Sequence, residues 1–320
     1  MNDVVLAIYS DRLFMAAVGV YVLAMALHAA EYAALRSADE PAAVPVAVGG
    51  SASTDGEIGA PPPSDAPAPG RPARSRADRF GGAAANLVVL AALLQLGSIV
   101  TRGLAADRWP LGNMYEFTSA VCLAAVVTWL VVLRRVPALR VVALFVLLPV
   151  VILLFLAGTV LYARAAPVVP ALRSYWLVVH VTTITVSSGL LFVPGVASLL
   201  FLVRRSGWST ALVERLPSAA ALDRLAYRTT IVAFPLYTFG VIAGAIWAEA
   251  AWGRFWGWDP KETVAFVAWV VYAAYLHARA TAGWRSGPAA WVNVAGLAVV
   301  LFNLFFINMV VAGLHSYAGL

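Results

Sequence analysis

The chain has 320 residues, 62% of them hydrophobic and only 12% charged, with a formal net charge of +6 and a mean hydropathy of +0.84. No soluble core of this size needs so little charged surface, so the composition excludes a soluble globular protein, suggests no nucleic-acid partner, and indicates an integral membrane protein in a lipid bilayer. The single cysteine, Cys122, lies in an apolar run and cannot form an intrachain disulfide, so any thiol chemistry must come from a partner.

Apolar windows long enough to cross roughly 30 Å of hydrocarbon fall at 13–35, 82–103, 115–133, 139–163, 175–203, 229–250, 263–283 and 289–313. They lack the period-2 alternation of a barrel, and backbone groups in lipid must be satisfied internally. The fold class is therefore all-α, with about eight transmembrane helices. The first run has no basic leader and is too long for a cleaved signal, so residues 1–36 read as a retained first helix. Residues 37–80 are rich in Ala, Pro, Gly and Ser and show no periodicity, which predicts a disordered linker without chemistry of its own. Residues 81–320 carry the other seven helices, and 217–228 reads as a short amphipathic helix leading into the sixth. With eight spans, fifteen Arg and Lys fall on one side and seven on the other. The positive-inside rule then places the linker in the cytoplasm, and both termini on the extracytoplasmic side of the cytoplasmic membrane.

Residues 247–262 break the pattern. Trp247, Trp252, Trp256 and Trp258 fall within twelve residues, interrupted by Gly253 and Gly257 and closed by Asp259 and Pro260. Glycine loosens a helix, and Pro260 excludes Asp259 from the α region, so this is a shaped external loop. Asp259 suits the N-cap of a helix starting at Pro260. Interfacial anchoring accounts for one or two tryptophans. A flat aromatic shelf for a large planar apolar ligand accounts for all four, provided metal ligands lie nearby; if so, Trp252, Trp256, Trp258 and Asp259 should behave differently from Trp247, which sits a turn or more earlier on span six.

The four histidines sort by depth. His28 lies sixteen residues inward from Arg12, and His277 fifteen inward from Glu262. At 1.5 Å per residue both reach roughly 22–24 Å from the outer ends of their spans. His180, near the outer end of span five, and His315, after span eight, share the level of the tryptophan loop. Two depth-matched pairs suggest two bis-histidine sites. Paired imidazoles suit haem iron, whereas a zinc site would need two more ligands at each level. Glu31 and Tyr32 stand where they could set the tautomer of His28. Asn303 and Asn308 read as interhelical hydrogen-bonders, Glu116 as a buried acid on either a structural or a pocket role, and Arg254 and Lys261 as partners for propionates or as snorkelling cations.

The loop WGRFWGWDPKE resembles the tryptophan-rich signature called WWD. With PLGNMYEF (110–117), TVAFVAWVVYAAYLHAR (263–279) and GLHSYAG (313–319), occurring in that order, the chain resembles the CcsA (ResC) family of system II cytochrome c biogenesis proteins. The resemblance implies that His180 and His315 ligate haem b at the external loop, and that His28 and His277 ligate it within the membrane. It also implies a cytochrome c haem lyase activity, with no catalytic residue of its own because the attacking thiols belong to the substrate. The implied partners are an apocytochrome c bearing Cys-x-x-Cys-His, a separate CcsB (ResB)-like membrane subunit and a thiol-reducing protein. Two other readings stand beside it: a haem transporter or chaperone without ligase activity, and a transporter of some other small molecule.

Overall fold

The structure, a computed structural model, describes residues 2–38, 75–167, 174–207, 211–281 and 287–315. Its elements in chain order are α1 (Asn2–Ala38), α2 (Arg76–Ala106), α3 (Met114–Arg135), a 3-10 turn (Pro137–Val142), α4 (Ala143–Thr159) and α5 (Tyr175–Arg205). They continue with the short α6 (Ala211–Glu214), then α7 (Ala219–Trp252), α8 (Pro260–Thr281) and α9 (Gly287–Phe302), and finish with a π turn (Asn303–Ile307) and α10 (Asn308–Val310). Among the described residues eight of these helical segments are long and apolar enough to cross a membrane, so the all-α expectation stands.

Most of the predicted linker, residues 39–74, lies outside the described residues. The expected short helix at 217–228 is instead the beginning of α7, started by Ser218 accepting a hydrogen bond from the Ala221 N–H. Span four, Pro137–Thr159, opens as a 3-10 turn at Pro137, and its α-helical part, α4, begins at Ala143. Pro149, Pro194 and Pro235 lie inside α4, α5 and α7. That is tolerable in a bundle whose neighbouring helices can satisfy the displaced backbone groups.

Helix α5 is the hub, with 72% of its apolar window buried against 17% for α8. It packs on α3, α7 and α9, while α1 packs on α2 and α4, and α8 on α7 and α9. Polar contacts mark the two ends of the bundle. At the end carrying the tryptophan loop, Arg102 binds Asp11 and Glu116 (3.1 and 3.2 Å), and Tyr162 donates to Asp11 (2.8 Å). At the opposite end Arg140 bridges Glu31 and Asp78, and Arg279 binds Asp223 through both terminal nitrogens. These pairs tie together elements far apart in sequence at each end of the bundle.

Candidate functional site

Helix α7 stops at Trp252 because Gly253 follows in the left-handed region (φ 73°), its N–H bonding back to the Glu249 carbonyl, a conformation glycine adopts without steric cost. Helix α8 starts with a capping box: the Asp259 carboxylate accepts from the Lys261 N–H (3.2 Å), and Glu262 reaches back to the Asp259 N–H (3.1 Å). The predicted N-cap role of Asp259 is therefore present. Its carboxylate does more than cap: Oδ1 accepts from the Leu314 N–H at 2.7 Å, and Oδ2 meets His315 Nδ1 at 2.9 Å. The end of the chain is thereby tied to the start of α8.

Burial opposes charge on Asp259, but the Leu314 N–H and the His315 ring outweigh it and hold the carboxyl below the usual carboxylate range. Burial, reinforced by Lys261, pushes the His315 imidazole down to about 4, against the pull of Asp259. An ionised carboxylate facing a neutral ring fixes the tautomer: Nδ1 carries the proton and donates, and the lone pair sits on Nε2. His180 is fixed in the same sense, because its Nδ1 lies 2.8 Å from the Gly240 carbonyl, which can only accept. The ring rests on the α7 backbone at Gly244, where a Cβ would come within 2.6 Å of it.

Between the two imidazoles stands Trp247, stacked on His180 at 6.0 Å with an interplanar angle of 9° and set 5.9 Å from His315. Trp252 leans on both, 4.7 Å from Trp247 and 5.1 Å from His315. The remaining cavity, about 90 Å³, is lined by both histidines, Trp247, Trp252, Trp256, Phe117 and Lys261 among others. The π turn supplies Asn303 and Leu304 to the same wall, and such turns recur at functional sites.

The predicted residues thus divide. His180, His315, Trp252, Trp256 and Asp259 gather at one place. Trp258 does not: it is 66% exposed, adopts φ 57°, and packs with Trp256 and Phe266 in an outward aromatic row. Trp247, set apart from the shelf by its earlier position on span six, is at the centre of the site. Arg254 approaches Glu262 (3.9 Å) and lies over Gly257, while Lys261 reaches Asn308. Glu116 is engaged with Arg102, Arg108, Gly112 and Asn113 rather than lining the cavity.

The other two histidines lie at the opposite end. His28 is buried, its Nδ1 is 3.0 Å from Glu31, and its Nε2 has no hydrogen-bond partner among the described residues. His277 is exposed on α8. The principal neighbours of their helices differ, α2 and α4 for one and α7 and α9 for the other. Among the described residues no cluster of three or more His, Cys, Asp or Glu could hold a bare metal ion.

The family model for "Cytochrome C assembly protein" matches residues 111–315, which contain every element of the outer site. Cytochrome c biogenesis proteins CcsA from Synechococcus sp. (strain RCC307) and Parasynechococcus marenigrum (strain WH8102) are 38% and 37% identical over 258 residues, covering 72% of this chain and 83% and 85% of theirs. This chain belongs to the CcsA family of cytochrome c assembly proteins. The membrane-spanning fold of this CcsA-family chain is shared with a solved structure, the cytochrome c haem lyase CcmF, at a TM-score of 0.61 and 18% identity. That match covers 94% of this chain and 46% of CcmF, so it speaks for the fold alone.

One prediction follows from the Asp259–His315 pair. Asp259→Asn keeps the size and the cap but removes the charge that orients the ring. Loss of such a supporting partner typically costs 10–100-fold in metal affinity or activity. Under the haem reading proposed below, haem titration of the purified variant should show that loss, and the haem affinity of the parent protein should be flat from neutral pH down to about 5, because His315 stays neutral there. The sign follows from linkage: the folded value lies below the ordinary 6.5, so this group's contribution to stability is complete above pH 6.5. It is lost as pH falls towards 4.

Proposed function

We propose that this chain binds haem between His180 and His315, beside the tryptophan loop, and presents it for covalent attachment to an apocytochrome c. The observation carrying this reading is that both rings have Nδ1 fixed by an acceptor, a carbonyl for one and a carboxylate for the other, so both direct their lone pair through Nε2. That is the arrangement axial haem ligands require. The fit is chemical rather than volumetric. Trp247 stands between the rings in a cavity of about 90 Å³, so haem enters by displacing that indole, which then serves as a wall. Lys261, already lining the cavity, is placed to meet a propionate.

The reaction is thioether formation. A cysteine thiol of a Cys-x-x-Cys-His segment adds across a haem vinyl group, a C–S bond forming at one carbon while the thiol hydrogen goes to the other; no oxidant is needed. The chain contributes proximity and orientation, and its own side chains supply no nucleophile. The loop and both termini are proposed to face the extracytoplasmic side of the cytoplasmic membrane, where a thiol-reducing protein would keep the apocytochrome cysteines reduced. A CcsB-like subunit is the proposed partner. His277 is exposed on α8, a helix that also exposes the apolar Val267 and Val270, and an incoming subunit packed on that helix could complete an inner haem site. The buried Nε2 of His28 would have to be uncovered to join it. A carrier that releases haem without ligating it is the second reading; it shares the site and differs only in the fate of the cargo.

The aromatic grouping gives a test. A ring packed against the macrocycle contributes on the order of 1 kcal/mol, so Trp252→Ala should lower cytochrome maturation roughly tenfold once misorientation of the vinyls is added. Trp258→Phe, on the outward row, should leave it near the parental level. Coexpression with an apocytochrome, in-gel haem staining and an immunoblot for this chain measure both. Equal staining for all three proteins would reduce the loop to membrane anchoring.

A further inference from the structure

A second, larger cavity of about 840 Å³ runs along the bundle between α2, α3, α5 and α7, on the other face of α5 from the histidine site. Helix α5 offers Thr182, Thr185 and Val186 to it and His180, Ile184 and Ser188 to the haem site, so the two spaces are separate. Along its length the walls are apolar and open outward, with Leu96, Val127, Val186 and Val232 all exposed. At the loop end it is closed by Trp109, whose ring nitrogen donates to Thr182 at 2.9 Å. At the opposite end stand Arg135 from the last turn of α3 and Arg224 and Arg228, four residues apart on one face of α7. All three are exposed, and none makes a hydrogen bond or ion pair among the described residues. The nearby acid, Asp223, is taken by Arg279.

We infer that this groove holds an anionic phospholipid, its phosphate among Arg135, Arg224 and Arg228 and an acyl chain running along the groove towards Trp109. Basic pockets between membrane helices take acidic headgroups, and guanidinium matches phosphate in both charge and geometry. The groove is unsuited to haem, because no His, Cys, Met or Tyr lines it to ligate iron. The lipid would bridge α3 to α7, two of the helices flanking the hub α5, and so brace the helix that carries His180. This inference does not depend on the haem reading.

The experiment places the full chain in nanodiscs of phosphatidylcholine with a minority of phosphatidylglycerol, then extracts it into detergent and counts retained phospholipid by mass spectrometry. The parent protein should retain phosphatidylglycerol well above its share of the bilayer. The R135Q/R224Q/R228Q variant should hold it roughly a hundredfold less tightly, at about fivefold per arginine. Val232→Trp, which fills the groove and leaves the arginines intact, should also lose it. Soret absorbance per protein should be unchanged in both variants. Retention that follows bilayer composition in the parent, or an unaltered phosphatidylglycerol count in both variants, overturns the assignment. A Soret loss with lipid retention intact overturns it as well and makes the groove a haem route.

Discussion

Replacing His315 or His180 with alanine should reduce haem attachment to background while the protein still inserts and accumulates. The geometry makes the two rings equivalent in kind but unequal in access. His315 is held by the Asp259 carboxylate on a segment beyond the last span, and His180 is held by a helix carbonyl in the first turns of α5, stacked on Trp247. A six-coordinate iron that loses one imidazole has an open position, and free imidazole can fill it where the site meets water. Added imidazole should therefore restore maturation in His315→Ala more fully than in His180→Ala, whose vacated space is closed over by Trp247 and by the α7 backbone at Gly244. The checks are haem staining of a coexpressed cytochrome and the Soret position of the purified variants, each with and without imidazole. Parental staining in His315→Ala would sink the outer site as proposed here.

Much of this was legible in the sequence because membrane insertion leaves strong marks. Apolar windows of the right length set the eight spans, and Asp259 before Pro260 set the start of α8. The outer pair was legible for a similar reason: with four histidines in the chain, depth alone placed His180 and His315 together. What escaped depends on contacts that no local pattern carries. Position on span six sets Trp247 apart from the rest of the shelf, and only the packing of α5 on α7 puts it against two imidazoles. The support of His180 escaped for the same reason: its ring rests on Gly244 and its Nδ1 bonds to the Gly240 carbonyl, contacts made across two helices far apart in sequence. At the other end depth matched His28 with His277, and it carried no information on the helices each packs against, which differ for α1 and α8. Trp258 illustrates the converse: composition grouped it with the shelf, and a backbone at φ 57° turned it outward.

Glu116 is where the largest loss of stability is expected. Its side chain is 2% exposed, as is that of Arg102, and it accepts from Arg102, from both terminal nitrogens of Arg108 (2.7 and 3.0 Å), from the Gly112 N–H and from Asn113. The cluster joins the end of α2 to the start of α3, and Arg102 extends it to Asp11 on α1 and to the Ala163 carbonyl. Removing one member of a buried ion pair leaves the other charge uncompensated, which costs about 3–5 kcal/mol. Glu116→Ala should accordingly lower the thermal midpoint of the purified protein by several degrees or more and reduce its accumulation. Glu116→Gln, which keeps part of the acceptor set, should fall between. In either variant the fraction that remains folded should bind haem with the parental Soret position, because Glu116 does not line the histidine cavity although its neighbour Phe117 does. Size-exclusion chromatography followed by haem titration of the monodisperse peak separates the two quantities. Normal stability combined with lost haem binding would reverse the assignment and return Glu116 to the pocket. Unequal loss between Arg102→Ala and Arg108→Ala would then show which guanidinium the carboxylate depends on, and Arg102 should be the more damaging because it also holds Asp11 and the chain after α4 in place.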